Sequence, residues 1–279
     1  MENQFNTPKQ IVQANLEGAE AKAKLPIIRL LILGLMAGAA IAFGGSSSNV
    51  AVHGIQDPGL AKFVAGAIFP VGLMLIVLIG GELFTGDCMM INGVLNKRYS
   101  VMRMIKTLCL VWVSNMAGAL LIVFLVNMSG QYDLGQGLLG AYTIKVALGK
   151  VNLSVSKCIS SGILCNILVC LAVLMAGSAK DVAGKIWAIF FPILAFVLGG
   201  YEHCVANMYY IPAGIVASKN EAYVQKAMEV YGYTKEQIDA LNVPNMLLHN
   251  LLPVTLGNII GGMVFVALPL YFIHLKKER

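Results

Sequence analysis

Long apolar runs alternate with short polar segments along almost the whole chain, and six of these runs are long enough to cross a bilayer. A helical crossing takes about 20 apolar residues. The runs predict spans at roughly Leu25–Val52, Leu60–Leu83, Met102–Met128, Lys157–Gly177, Lys185–Tyr201 and Met246–His274, with a short helix to Ser218 after the fifth. The predicted fold class is therefore all-α integral membrane, with a six-span domain over residues 25–275.

The second and fifth runs are interrupted in the same way. A Gly-Gly pair followed by an acid breaks each of them, at Gly80-Gly81-Glu82 and at Gly199-Gly200-Tyr201-Glu202, and a Phe-Pro pair precedes each break. The backbone groups freed by such breaks cannot stay unpaired in hydrocarbon. Broken spans at matching places in two halves of a membrane protein indicate a conduction or binding site near the membrane midplane.

The correspondence between the halves extends to the third and sixth runs. Both contain Asn-x-x-Gly, at Asn115–Gly118 and at Asn258–Gly261. With three spans in each half, the second half begins on the opposite side of the membrane. The halves are therefore predicted to form an inverted 3+3 repeat.

The segments outside the spans predict a helix at the amino end and an orientation. Thr7–Lys24 is predicted to be helical, with Thr7 as N-cap and Pro8 as first residue. Its apolar residues share one face, so residues 1–24 are predicted to form an amphipathic helix on the membrane surface or under the bundle. Most of the 20 Lys and Arg residues fall on the side of the termini, which the positive-inside rule predicts to be cytoplasmic. Residues 276–279 are then a cytoplasmic tail.

Composition agrees with a membrane protein and excludes several functions. Hydrophobic residues make up 58% of the chain and charged residues 12%. The net charge of +6 comes without a basic face interleaved with aromatic residues, so the predicted partner is the lipid bilayer and not a nucleic acid. Phosphate loops, His-Glu-x-x-His and nucleophile elbows do not occur, so the sequence predicts no enzyme activity, cofactor or metal. The six cysteines lack a Cys-x-x-Cys pair and are predicted to be structural thiols.

His203, in the fifth-span break, is the main candidate for chemistry. An ionisable group at mid-span depth is a functional hypothesis by default. Its imidazole can donate a hydrogen bond to an anion, or a proton when it is charged. Burial favours the neutral ring, whereas the neighbouring Glu202 favours the charged one. The alternative is a neutral histidine that caps free backbone groups at the break, and the two hypotheses carry equal weight.

The other candidates surround the two breaks. Leu83 and Phe84, next to Thr85, predict a hydrophobic constriction with one polar contact, although ordinary core packing is the alternative. Lys150 is predicted either to concentrate anions in an outer vestibule or to be a solvated lysine. Asn166 is predicted to be a buried amide that joins helices.

These motifs resemble those of the formate/nitrite transporter family. The resemblance covers all six spans and rests on Gly81–Gly86, Lys150-Val151, Asn166–Cys170, Glu202–Tyr209 and Pro253–Gly262. It implies an aquaporin-like protomer, a homopentamer, and one pore per subunit for a small monovalent anion such as formate, nitrite or hydrosulfide. The implied pore residues are His203 with its partner Thr85, Leu83 and Phe84 at an inner constriction, Phe69 and Phe196 at an outer one, and Lys150, Asn166, Glu202, Asn207 and Asn258.

The predicted mechanism follows from a lone histidine between apolar constrictions. A weak-acid anion would enter a basic vestibule, and a proton from His203 or water would let it cross as the neutral acid. An aquaporin-type channel for neutral solutes is one alternative, but the sequence lacks the paired Asn-Pro-Ala motifs. A proton-coupled secondary transporter is another, and the preferred anion stays open.

Overall fold

The computed structural model describes residues 5–276, and these residues form a bundle of apolar helices. In chain order the helices are α1 (Pro8–Lys24), α2 (Ile27–Val52), α3 (Pro58–Ile68), α4 (Val71–Ile79), α5 (Phe84–Asp87), α6 (Ile91–Leu95), α7 (Val101–Met128), α8 (Leu138–Val151), α9 (Val155–Ser178), α10 (Val182–Leu198), α11 (Cys204–Ala217), α12 (Glu221–Tyr231), α13 (Lys235–Asp239) and α14 (Val243–Leu275). A short 3₁₀ helix, Cys88–Met90, separates α5 from α6.

Five helical stretches within residues 5–276 are long and apolar enough to cross a membrane. They are α2, the continuous pair α3–α4, α7, α9 and α14. The fifth predicted span consists of two shorter apolar helices, α10 and α11, on either side of its break. This arrangement confirms the all-α membrane fold, whereas the inverted relation of the two halves stays a prediction.

The chain leaves the helical conformation at both Gly-Gly pairs. Gly80 has a φ of +104° after α4, and Gly200 has a φ of +66° after α10. Glycine adopts positive φ readily because it has no Cβ. The helical conformation resumes at Phe84 in the first case and at Cys204 in the second. Both breaks therefore lie where the sequence predicts them.

Small residues bring the long helices into direct backbone contact. A Cβ at Gly38 on α2 would overlap the carbonyl oxygen of Asn115 on α7, and one at Gly118 would overlap that of Leu35. Gly257 on α14 approaches α9 in the same way. Such close approach maximises van der Waals contact between helices that gain nothing from hydrophobic exclusion in lipid.

Helix α1 packs against the bundle through its apolar face. Thr7 caps it and Pro8 is its first residue, as predicted. Its buried residues are Val12, Leu16, Ala19 and Ala23. Of the two predicted positions, the structure therefore has the packed one, with α1 against α9 and the segment that follows the first break. Its cytoplasmic location stays a prediction, and so does the tail 276–279, of which residues 277–279 lie outside the described part, as do residues 1–4.

Helix α8 is an element that the hydrophobic pattern does not predict. The sequence gives only an outer segment before the fourth span, but the structure has a 14-residue helix there. Its buried residues, among them Leu139, Ala141, Ile144 and Ala147, cover a little more than half of its circumference, and the exposed Lys145 and Gly149 lie on the remaining side. Because this exposed side is narrow and carries one charged residue, the amphipathic period is weak. Lys150 therefore belongs to the last turn of a packed helix.

Candidate pore at the two helix breaks

Two cavities approach the breaks from opposite ends of α2. The outer cavity, of about 170 Å³, is lined by Ser48 of α2 and by Lys150 and His203. The inner cavity, of about 350 Å³, is lined by Leu33 of α2 and by Leu83. Ser48 and Leu33 are about 22 Å apart along the helix, at 1.5 Å per residue. The cavities share no lining residue, so a path from one to the other would pass between the breaks.

A hydrogen bond between His203 and Thr85 joins the two breaks. Nε2 of His203 lies 3.0 Å from Oγ1 of Thr85, and both side chains are buried. Nδ1 of His203 accepts the backbone N–H of Ala206 at 3.0 Å, which makes His203 the N-cap of α11. A ring nitrogen that accepts a hydrogen bond carries no proton, so this geometry assigns a neutral imidazole whose Nε2–H donates to Thr85. The capping alternative from the sequence is thus realised, at the wall of the outer cavity.

Phe69 and Phe196 line the outer cavity beside His203. Their rings meet edge to face, with centroids 5.4 Å apart and planes at 86°. The Phe196 ring is 6.0 Å from the imidazole ring, centroid to centroid. Both phenylalanines line the outer cavity, where the sequence resemblance puts a constriction. An anion between these rings would lose hydration without gaining a polar partner from them.

Leu83 and Phe84 follow the first break, but their side chains face different surroundings. Both are buried, with 4% and 3% of their surface exposed. Leu83 lines the inner cavity. Phe84 lines an apolar groove between α7 and α14 instead. Of this predicted pair, the structure brings only Leu83 to the wall of the inner cavity.

Asn258 fixes the second break from α14. Its Oδ1 accepts the N–H of Cys204 at 2.9 Å, and its Nδ2 donates to the carbonyls of Glu202 at 3.0 Å and Gly162 at 2.8 Å. These bonds satisfy backbone groups that the break leaves without helical partners. Asn258 is fully buried in this network and lines neither of the two cavities, and its role as a pore residue stays a prediction.

Asn115 fixes the first break from α7 with an equivalent set of bonds. Its Oδ1 accepts the N–H of Phe84 at 3.0 Å. Its Nδ2 donates to the carbonyls of Glu82 at 2.9 Å and Gly34 at 2.8 Å. The pattern of acid carbonyl, following amide and helix glycine is the same as around Asn258. This is chemical evidence for the repeat.

Asn166 ties α9 to the first break and to α14, as the sequence predicts for a buried interhelical amide. Its Nδ2 donates to the carbonyl of Thr85 at 3.1 Å and to that of Asn258 at 2.6 Å. It therefore holds the backbone on which the Thr85 hydroxyl is carried. It lines neither cavity.

Lys150 and Glu202 form a buried ion pair at the outer cavity. Lys150 Nζ lies 2.9 Å from Glu202 Oε1, and the side chains are 16% and 6% exposed. Oε2 of Glu202 accepts from the amides of Asn207 at 2.6 Å and Asn250 at 3.2 Å. Lys150 is thus paired and not a solvated lysine, and because it lines the outer cavity its attraction of anions stays a prediction. The carboxylate of Glu202 therefore forms its ion pair with Lys150 and not with His203.

A second charged cluster lies at the inner cavity and includes two residues that the sequence does not single out. Lys22 of α1 contacts Glu82 at 2.8 Å and Asp87 at 2.5 Å. Partial burial acts to lower the pKa of Lys22, but the carboxylates of Asp87 and Glu82 outweigh it and raise that pKa above its ordinary value. The repeat could have indicated Asp87 from the sequence, because Asp87 and Asn207 each follow the acid of their break by five residues.

A helical membrane domain with two broken helices, a polar contact between the breaks and a cavity on each side defines a channel-like transport protein. The chain belongs to the formate/nitrite transporter family, whose family model, described as "Formate/nitrite transporter", matches residues 9–272.

Similar proteins agree with this assignment over nearly their whole lengths. A "Probable formate transporter" of Methanothermobacter thermautotrophicus is 40% identical, over 99% of this chain and 100% of its own. "Formate channel FocA" of Escherichia coli K12 is 33% identical, over 97% of this chain and 95% of its own. A solved structure, "Pentameric formate channel with formate bound", is 32% identical and has a TM-score of 0.79 over 90% of this chain and 98% of its own. These relatives are channels and transporters, which confirms the prediction of a transport protein and not an enzyme.

Proposed function

We propose that this protein passes small monovalent weak-acid anions, such as formate, nitrite or hydrosulfide, through a pore in each protomer. The observation that carries the proposal is the hydrogen bond between His203, whose ring is 6.0 Å from that of Phe196, and Thr85, which follows Leu83 by two residues. The formate named for several relatives supports an anion of this size and charge.

The protein is proposed to act as a homopentamer in a prokaryotic plasma or inner membrane, with both termini in the cytoplasm. The pentamer named for a structural relative supports the assembly. The positive-inside rule supports the orientation. The helix α1 would then lie at the cytoplasmic mouth, beside the inner cavity.

In the proposed mechanism, the constrictions act on charge more strongly than on size. An anion in the outer cavity meets Lys150, whose charge Glu202 largely balances, and then the two phenylalanine rings. Its charge is costly between apolar walls, so the neutral acid crosses more easily than the anion. His203 contributes an Nε2–H that can be donated to the substrate where the substrate takes the place of the Thr85 hydroxyl.

The source of the substrate proton follows from the two bonds of the imidazole. A charged His203 would have protons on both ring nitrogens, and Nδ1 would lose the N–H of Ala206. Because this cap holds the start of α11, we assign the proton to water in the cavity and the orienting hydrogen bond to His203. The proposal therefore makes His203 a donor that remains neutral.

Anion uptake into proteoliposomes tests the proposal. Formate, nitrite and hydrosulfide would be compared at several pH values for wild type, His203→Phe and Thr85→Val, with the exposed His249→Phe as matched control. We expect uptake of at least one anion by wild type, an altered rate and pH profile in His203→Phe, and no change in the control. Wild-type rates and pH profile retained by His203→Phe would exclude this role for the histidine.

A further inference from the structure

The cluster of Lys22, Glu82 and Asp87 is the inner counterpart of the Lys150–Glu202 cluster, with one changed group. In each half a lysine from the helix before the first span of that half contacts the acid of the break. Asp87 and Asn207 both stand five residues after this acid. An acid in the inner cluster thus replaces an amide in the outer one.

This replacement changes the charge balance. In the outer cluster, one ammonium faces one carboxylate, and the Asn207 amide donates to that carboxylate. In the inner cluster, one ammonium faces two carboxyl groups. With both ionised, the buried cluster would carry a net charge of −1, which is costly away from water.

Asp87 itself lacks a second donor. It is 1% exposed, its Oδ1 accepts from Lys22, and its Oδ2 has no hydrogen-bond partner. A proton on one of the two carboxyl groups would neutralise the cluster. It would also supply the missing hydrogen bond, because a protonated carboxyl is a donor.

Within residues 5–276, Lys22 is the cation that pairs with Asp87, and the other titratable groups around Asp87 have partners of their own or are neutral. Glu20 of α1 is paired with Arg98 at 3.3 Å and with Lys24 at 2.7 Å. The hydroxyl of Tyr99 donates to the carbonyl of Met90. The thiols of Cys88 on its own segment and Cys170 of α9 also lie close to Asp87 and are neutral as thiols.

Solvent-sized space reaches the cluster from two directions. The inner cavity touches both Lys22 and Asp87, and so does a neighbouring cavity of about 260 Å³ between α1 and α9. A proton can therefore exchange with water at this site. Leu83, the apolar residue at the inner cavity wall, immediately follows Glu82.

We propose that Glu82 and Asp87 bind one exchangeable proton between them, and that this proton controls anion passage at the inner cavity. With the proton bound, the cluster is neutral like its outer counterpart. As the pH rises and the proton leaves, the cluster becomes negative and repels the anion beside Leu83. The control of anion passage rests on the proposed function, whereas the binding of the proton does not.

Infrared difference spectroscopy between low and high pH tests proton binding without any transport. The reconstituted wild type should show the C=O band of a protonated carboxylic acid that disappears as the pH rises. Asp87→Asn and Glu82→Gln should each lose this band, and the reciprocal Asn207→Asp should gain one. A wild type without the band, or a band unchanged in both loss variants, would overturn the proposal.

Anion flux tests the control by this proton. Because the substrate is itself a weak acid, wild type and Asp87→Asn would be compared by the ratio of their flux at low pH to that at high pH. We expect a severalfold smaller ratio in Asp87→Asn, mainly through faster flux at high pH. Equal ratios in a correctly assembled variant would refute the control of passage. A wild type that passes no anion would refute the proposed function, and the infrared bands would still decide the proton site.

Discussion

Asn115 and Asn258 make the same three hydrogen bonds in the two halves of the chain, each to an acid carbonyl, a following amide and a glycine carbonyl. This relationship extends the repeat beyond the sequence motif. If the breaks correspond, then Lys22 corresponds to Lys150, and α1 corresponds to α8. The amino-terminal helix is then a component of the first half of the repeat, in contact with its break, and more than a peripheral anchor.

The two asparagines are expected to stabilise the fold to a similar extent. Asn115→Ala and Asn258→Ala each remove three buried hydrogen bonds of about 1 kcal/mol and leave backbone groups unpaired, so we expect a loss of about 3 kcal/mol or more. Unfolding in detergent, followed by circular dichroism, measures this. Asn127→Ala, at an exposed position of α7, is the control and should change little. A loss confined to one of the two variants would contradict an equivalent role.

Backbone contact between α2 and α7 predicts a strong dependence on glycine. Gly38→Ala and Gly118→Ala place a methyl group against a carbonyl oxygen of the facing helix, so the helices must separate. We expect lower unfolding temperatures and poorer assembly on size-exclusion chromatography.

Gly149→Ala is the matched control for these helix glycines. It lies on α8 with no atom near the added Cβ. There the greater helix propensity of alanine should leave stability unchanged or raise it by up to about 1 kcal/mol. Equal effects at all three glycines would show that the contact between α2 and α7 is not the cause.

The ion pair of Lys150 and Glu202 is expected to be strongly coupled. Loss of one buried partner leaves an uncompensated charge, which costs about 3–5 kcal/mol. Lys150→Met and Glu202→Gln should therefore each destabilise the protein, and the sum of their two losses should exceed the loss in the double variant. A double-mutant cycle should give a coupling above about 1 kcal/mol. The exposed pair of Lys235 and Asp239 serves as the control cycle, with coupling near the error of measurement.

The sequence predicts the parts of this fold that depend on local pattern. The two breaks follow from glycine pairs in apolar runs, and α1 follows from its cap and apolar face. His203 stands out because a histidine at mid-span depth is unusual.

Features that depend on partners distant in the chain could not be predicted in this way. Asp87 is one polar residue among several in its segment until Lys22, 65 positions earlier, is seen to contact it. Asn250 gives no local sign that it donates to Glu202. The orientation of Phe84 away from the inner cavity depends on the packing of α7 and α14, which the Leu-Phe pair does not encode.

Leu83 is expected to limit anion flux because its side chain lies at the wall of the inner cavity. Leu83→Ala removes apolar volume there, admits water, and lowers the desolvation cost of a passing anion. We expect severalfold faster uptake in proteoliposomes. Leu78→Ala, at a 38% exposed position of α4, is the control and should leave uptake unchanged. Phe84→Ala tests the other residue of the predicted constriction. The ring of Phe84 faces the groove between α7 and α14, whereas Leu83 lines the inner cavity. If Phe84→Ala accelerated uptake and Leu83→Ala did not, the constriction would lie at the phenylalanine, on a path other than the inner cavity.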